Sequence, residues 1–192
     1  MRMKISGGIA RGRKIGAAAA FRSKGDEDRL RPTTGKAREA LFSILRNRLS
    51  GASFLDLYAG TGAVGLEALS RGAAEAVFVE INRLRAKLIE EYLERVGFTG
   101  RARVVRGTVA DFILAEQKRR RQFDIVFLDP PYDTDEASVS LGLCEAVVGA
   151  GGIVVAEHFF KNLLPERSGL LRLIRDYRYG DTVLSMYQKE ES

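Results

Sequence analysis

The sequence predicts an α/β fold of the doubly wound kind, a mostly parallel sheet covered by helices on both faces. Three observations carry that expectation. Short apolar runs (SFLDLY, EAVFVEI, ARVVRG, FDIVFLD and GGIVVAEH) alternate with segments of helical periodicity near 63–71, 82–97, 109–119 and 136–148, and strands without a polar face belong in a sheet buried on both sides. Glycines and a strand-end carboxylate punctuate the first of these units, FLDLYAGTGAVGLEAL, as they do in nucleotide-binding turns. The last stretch, LLRLIRDYRYGDTVLSMYQ, reads as two strands joined at Gly180 and Asp181 with no helix between them, so the sheet should close with an antiparallel hairpin.

Taken in order, MKISGGIARGRKIGA holds two short extended runs around glycines and reads as a small hairpin or arm presenting Arg11, Arg13 and Lys14. Residues 18–30 read as a loop. Pro32 then precedes Thr33 and Thr34, either of which can cap a helix whose apolar positions Ala37, Ala40, Leu41, Ile44 and Leu45 recur at helical spacing, to about Leu49. The expected division is a basic N-terminal arm over residues 1–30 and one larger domain over 31–192. A chain of 192 residues with 45% apolar content suits one such domain and can bury a sizeable core.

The formal charge of +6 is unevenly distributed. Residues 1–48 hold 13 Lys/Arg against 4 Asp/Glu, while residues 49–192 hold 18 against 21. A cationic segment beside a near-neutral domain points to a polyanionic partner bound through phosphate contacts. The run at 118–121, Lys-Arg-Arg-Arg, lies on the amino edge of the sheet and reads as a solvated helix end. No apolar stretch approaches the roughly 20 residues of a membrane span, and no secretory segment leads the chain, so a cytoplasmic location is expected. One cysteine, Cys144, and one histidine, His158, exclude a disulfide framework and leave no metal site to be expected.

In the first core unit, Asp56 ends a strand and Gly60 and Gly62 turn the chain into a helix, bringing backbone N–H groups toward a ligand; Tyr58 lies in the same turn. Gly60, Gly62 and Gly65 also satisfy G-x-G-x-x-G, with Glu80 about 20 residues onward to hold a ribose, so the glycines alone do not name the nucleotide. Asp56 tilts the choice. A second anion is unwelcome beside a dinucleotide pyrophosphate, whereas the ammonium of a methionyl group would be stabilised there, which favours S-adenosylmethionine.

FDIVFLDPPYD places Asp129, Pro130, Pro131 and Tyr132 at the carboxyl edge of the sheet, where ligands of such folds bind. The two prolines make a rigid, acceptor-rich element. An exocyclic amine on a base is a poor nucleophile because its lone pair is delocalised into the ring. Acceptors on Asp129 and the Pro130 carbonyl could hold that amine and direct its lone pair at a methyl sulfonium. Tyr132 offers a ring on which an extruded base can stack.

The combination of SGGIARGRKI, RPTTGKAREALFSIL, FLDLYAGTGAVGLEALSRGA, FVEIN and FDIVFLDPPY resembles the RsmD family of bacterial small-subunit ribosomal RNA guanine-N2 methyltransferases, over nearly the whole chain. The resemblance implies a class I methyltransferase (Rossmann-like) sheet of seven strands with the small basic arm ahead of it. It implies S-adenosylmethionine as methyl donor and a guanine amine of small-subunit rRNA as acceptor, in an assembled or assembling particle; nothing in the sequence pattern demands a dimer, so a monomer is expected. By it Asp56, Tyr58, Gly60 and Gly62 line the methionine end of the cofactor, and Glu80 binds its ribose. Asp129, Pro130 and Tyr132 hold the target base. The charge excess of residues 1–48, independently of the resemblance, makes Arg11, Arg13, Lys14 and Arg31 the expected RNA contacts. Where the family commonly has an acid after the third strand, this chain has Thr108, with Asp111 a helical turn later; Thr108 and the Val109 N–H are the candidates for the adenine. Adenine-N6 methylation of DNA, a non-catalytic cofactor- or RNA-binding module, and a nicotinamide oxidoreductase are the competing readings.

Overall fold

The computed structural model describes residues 3–15, 35–131 and 135–191. Two short strands, β1 (Met3–Lys4) and β2 (Lys14–Ile15), pair as an antiparallel hairpin. Helix α1 (Gly35–Ile44) follows, and then the alternating units: β3 (Ser53–Leu57), α2 (Ala63–Ser70), β4 (Glu75–Glu80), α3 (Arg83–Val96), β5 (Ala102–Arg106), α4 (Val109–Lys118), β6 (Phe123–Leu128), α5 (Glu136–Cys144) and β7 (Val148–Phe159). Strands β8 (Arg167–Ser168), β9 (Leu171–Tyr179) and β10 (Thr182–Lys189) follow. The main sheet has the order β5-β4-β3-β6-β7-β10-β9-β8. Its first five strands are parallel, and β10 enters antiparallel between β7 and β9.

The expected doubly wound sheet with an antiparallel ending is therefore present, with eight strands rather than seven. The extra strand is the two-residue β8, which pairs Arg167 with Arg172 and Ser168 with Leu171 at the sheet's edge. Two further boundaries depart from the sequence reading. Helix α5 stops at Cys144 rather than 148, because turns from Ala146 N to the Leu143 carbonyl (3.2 Å) and from Val147 N to the Cys144 carbonyl (3.0 Å) lead directly into β7. The Gly149–Gly152 run does not interrupt β7; it forms a bulged entry in which the register with β6 shifts between Phe123 and Ile125.

Helix ends follow local chemistry. Asn82 caps α3 by accepting from Leu84 N (2.9 Å) and Arg85 N (3.2 Å), and Gly97, at φ 76°, ends it in the left-handed region that glycine tolerates. Burial divides by sheet face. Phe54, Phe78, Ile125, Phe127 and Leu184 pack against Leu41, Phe42 and Leu66 on one side, and Leu55, Val126, Leu128 and Tyr187 pack against Phe112, Ile113 and Leu141 on the other.

The N-terminal hairpin belongs to the first of these cores, since Ile5, Ala10 and Ile15 are buried in it. Its anchor is Glu67, a fully buried carboxylate in the middle of α2. Glu67 accepts from Ser6 N (3.1 Å), the Ser6 hydroxyl and Arg71 Nε (2.8 Å), and pairs with Arg38 Nε at 3.2 Å. Arg38 in turn donates to the Lys4 carbonyl (3.1 Å). At the hairpin's tip, Ile9 N and Ala10 N bond the carbonyl and hydroxyl of Ser70, at 2.8 and 2.9 Å. Gly8, at φ 75°, lies so close to that carbonyl that a Cβ would stand 1.8 Å from it.

Candidate functional site

Parallel register brings the sequence-predicted residues to one edge. Leu57 is level with Val79 on β4 and with Leu128 on β6, so the next residues, Glu80, Tyr58 and Asp129, form a row across three adjacent strands spaced by about 4.8 Å. This is the carboxyl edge of the sheet beside its central strand, where open α/β sheets bind ligands.

The turn between β3 and α2 is built to hold a fixed shape. Ala59 N bonds the Val79 carbonyl (2.9 Å), Gly62 N bonds the Ala59 carbonyl (2.7 Å), and Gly60 N donates to Glu80 Oε2 (2.8 Å). Gly60 and Gly62 have φ of 54° and 71°, conformations that a side chain would strain. A Cβ on Gly62 would also meet Ile89 Cγ1 at 2.9 Å, and one on Gly65 would meet the Phe78 ring at 2.3 Å. Gly65 thus lets α2 lie directly on β4, the packing role of the third glycine in such turns.

Tyr58 adopts φ 63° without being glycine, a strained conformation that persists only where surroundings enforce it. Its hydroxyl is fixed by Glu136 Oε1 at 3.0 Å and Ser140 Oγ at 2.6 Å, both on α5. Burial pushes its phenol above the ordinary value of 10.0. Glu136 and Ser140 were not singled out by sequence; their spacing of four residues on one face of a short helix is the signal that could have found them.

Asp56 is 1% exposed and lies beneath the turn, with Oδ2 accepting from Gly65 N at 2.9 Å. Burial is the largest influence on its carboxyl; the Gly65 N–H opposes it and the Glu80 charge reinforces it, and the pKa is pushed from 3.8 up to about 8. Glu80 braces the turn from the side, Oε2 taking Gly60 N and Oε1 taking Asn82 N (2.8 Å), with Arg85 NH1 at 3.8 Å. A carboxylate offers about four acceptor positions, so Glu80 can brace the turn and still receive a ligand hydroxyl.

Thr108 caps α4: its hydroxyl accepts from Asp111 N (3.1 Å) and donates to the Asp111 carboxylate (2.7 Å). The pair Thr108–Asp111 therefore sits as a unit at the carboxyl end of β5, with Val109 buried behind it. Asp129 is half-buried, Pro130 is buried and Pro131 is exposed. Tyr132 and Arg31 lie outside the described residues. Arg11, Arg13 and Lys14 are exposed. The hairpin tip bonds Ser70, the last residue of α2, which places the Arg11 end of the hairpin at the far end of α2 from the glycine turn, about 12 Å along that helix. The structure does not bring Arg11 into the row of Glu80, Tyr58 and Asp129.

His158 is buried between β7 and β10, with Nε2 2.7 Å from Ser185 Oγ and Nδ1 3.0 Å from the Phe159 carbonyl; burial lowers its pKa. Cys144 is a buried free thiol whose pKa burial raises. Among the described residues no helix is long and apolar enough to cross a membrane.

Comparison with known proteins extends this picture. The profile of a family described as Conserved hypothetical protein 95 matches residues 3–188. The Bacillus subtilis protein YlbH is 33% identical over 189 residues, covering 97% of this chain and 99% of the relative. The Escherichia coli K12 protein named ribosomal RNA small subunit methyltransferase D is 33% identical over 190 residues, covering 98% of this chain and 90% of the relative. The solved structure of the Escherichia coli protein yhhF superposes with a TM-score of 0.82 at 30% identity, covering 100% of both chains.

Proposed function

Because this chain belongs to the Conserved hypothetical protein 95 family, that of the small-subunit ribosomal RNA methyltransferases D, we propose that it transfers a methyl group from S-adenosylmethionine to the exocyclic N2 amine of a guanine in small-subunit rRNA. The observation that carries the reading is the row of Glu80, Tyr58 and Asp129 at the carboxyl edge, with the glycine turn in its centre. The donors and acceptors present suit S-adenosylmethionine. Glu80 would accept the ribose hydroxyls, the Tyr58–Gly62 backbone would border the methionyl portion, and Asp56 would supply negative charge for its ammonium. On the adenine side stand Val109 N–H and the Thr108–Asp111 cap.

The cofactor supplies an electrophilic methyl on a sulfonium. Asp129 would accept an N–H of the target amine and the Pro130 carbonyl the other, turning the nitrogen lone pair toward that methyl. As the N–C bond formed and the methyl–sulfur bond broke, its electron pair going to a neutral thioether, positive charge would grow on nitrogen, so the Asp129 carboxylate would bind the transition state more strongly than the ground state. The proton on the resulting cation leaves to Asp129 or to water. Tyr132 would stack the extruded base. The exposed Arg11, Arg13 and Lys14, together with Arg31, would hold RNA phosphates, with residues 1–30 acting as a binding arm and 31–192 as the methyltransferase domain. The substrate is taken to be an assembled or assembling small-subunit particle, and the enzyme a monomer.

Methyl-labelled cofactor supplied with naked small-subunit rRNA, isolated small subunits or duplex DNA tests this directly. Label in N2-methylguanine of the rRNA is the expected result; label in DNA adenine, or none in either, overturns it. Replacing Arg11, Arg13 and Lys14 by Ala should flatten the salt dependence of RNA binding by about 0.7 per lost contact on an unpaired strand, with cofactor affinity unchanged.

A further inference from the structure

The carboxyl edge continues beyond Asp129. Leu128 is level with Ala156 on β7, and β7 runs on to Phe159, so Phe159 stands on the neighbouring strand two residues above the level of Asp129, roughly 8 Å away in backbone terms. The chain then turns, and Phe160 N bonds the Asp181 carbonyl at 2.9 Å. That bond ties the exit of β7 to the β9–β10 turn, which lies at the same edge because Thr182 pairs with both Phe159 and Tyr179.

Side chains from these two segments form one cluster. The Phe159 and Phe160 rings meet edge-on, with centroids 4.8 Å apart and planes at 62°. Lys161 Nζ stands 5.9 and 5.7 Å from the two centroids. The Arg178 guanidinium lies 4.1 Å over the Phe160 ring, while its Nε donates to the Gly180 carbonyl at 2.9 Å. Both cations are exposed, both phenylalanines are half-buried, and Tyr179 is 39% exposed beside them. Asp181 brings one carboxylate to the turn; Asp176, nearby on β9, is engaged by the Ser185 hydroxyl at 2.5 Å.

A cation held over a ring and pinned by its own hydrogen bond has already given up much of its rotamer freedom, so little more is lost when it meets a ligand. A fixed, stackable guanidinium and a second exposed cation beside half-buried rings match a ligand in which phosphates alternate with flat bases. A folded acidic protein would satisfy the charges and leave the rings without stacking partners.

We propose that Phe159, Phe160, Lys161 and Arg178 form a docking platform for an unpaired stretch of RNA that flanks the target nucleotide. The proposal rests on the reading of rRNA as substrate. It places the strand across the carboxyl edge from β6 toward β9, on the opposite side of the glycine turn from the cofactor's ribose acid on β4.

The test compares the full chain with K161A/R178A and F160A variants, and with Arg172→Ala as a control. Arg172 is on the same strand as Arg178 but at its other end, 3.7 Å from Glu190. Binding of a fluorescein-labelled single-stranded RNA of mixed sequence is followed by anisotropy across a salt series, beside methyl transfer to small subunits. The double variant should bind the oligonucleotide about tenfold more weakly, with its logarithmic salt slope reduced by about 1.4, and F160A should weaken binding with the slope unchanged. Melting temperature and cofactor affinity should match the parent, and Arg172→Ala should bind like the parent. An unchanged affinity and slope in K161A/R178A, with the parent methylating rRNA, overturns the platform. So does a double variant that binds the oligonucleotide normally but fails on subunits, since a ribosomal protein would then be the occupant. A parent that methylates no RNA, yet binds it through Lys161 and Arg178, refutes the substrate reading and leaves the platform standing.

Discussion

Asp56 and Asp129 lie a few residues from one edge and are asked for different things. Asp56, buried under Gly65 N–H with its carboxyl pushed up to about 8, holds its proton at neutral pH in the absence of a cationic ligand. Its folded pKa stands above the unfolded value of 3.8, so its contribution to stability is complete below 3.8 and is lost as pH rises through about 8. An ammonium group placed against it reverses the balance and expels the proton. Cofactor affinity should therefore climb as pH rises toward about 8, above which the ligand ammonium itself deprotonates, and calorimetry at pH 7 in buffers of different ionisation heat should show proton release that Asp56→Asn abolishes. Equal heats for the parent in those buffers would separate Asp56 from the ammonium. In the proposed role Asp129 would act in the transition state, and Asp129→Ala should then slow single-turnover methyl transfer by on the order of a hundredfold with cofactor affinity unchanged. If Tyr132 stacks the base as proposed, Tyr132→Ala should raise the RNA requirement as well as slow turnover, and Tyr132→Phe, which keeps the ring, should be mild.

Among elements, the glycine turn was legible because its residue types are dictated by backbone shape. The sequence showed that Gly60, Gly62 and Gly65 form a turn; it could not show that Gly65 serves packing, since that depends on Phe78 lying beneath it. Gly65→Ala should consequently lose stability through overpacking, about 1–3 kcal/mol by denaturant midpoint, whereas Gly60→Ala meets nothing closer than the Tyr58 carbonyl at 3.7 Å and should lose only the backbone strain, about 1–2 kcal/mol. A Gly65→Ala midpoint equal to the parent's would contradict that division. The β9–β10 turn at Gly180 and Asp181 was legible for the same local reason. The bulge of β7 was not, because its partner β6, distant in sequence, decides it; the early stop of α5 is set by turns whose residues carry no strong turn signal. Tyr58 shows the mixed case: the turn was evident, but its anchorage on Glu136 and Ser140 needed the fold.

The N-terminal hairpin, read from sequence as a charged arm, is joined through Glu67 to α1 and α2 in the described structure. An acid inside AVGLEALS, a helix buried all round, was the one sign that a cation had to reach the core. Glu67→Ala would leave Arg38 buried beside no anion and should lower unfolding free energy by about 3–5 kcal/mol; a Glu67→Ala midpoint equal to the parent's would show that the hairpin is not held this way. The order of the sheet carries a different consequence, one of time. Strand β10 comes later in the chain than every other strand, yet it sits inside the sheet between β7 and β9. During synthesis β7 must wait with one edge bare while β8 and β9 emerge, and β9 has no route into the sheet except through a neighbour not yet made. The protein's right-hand half is thus assembled in a single late event, and until then the long apolar β7 is the segment most exposed to pairing with another nascent chain.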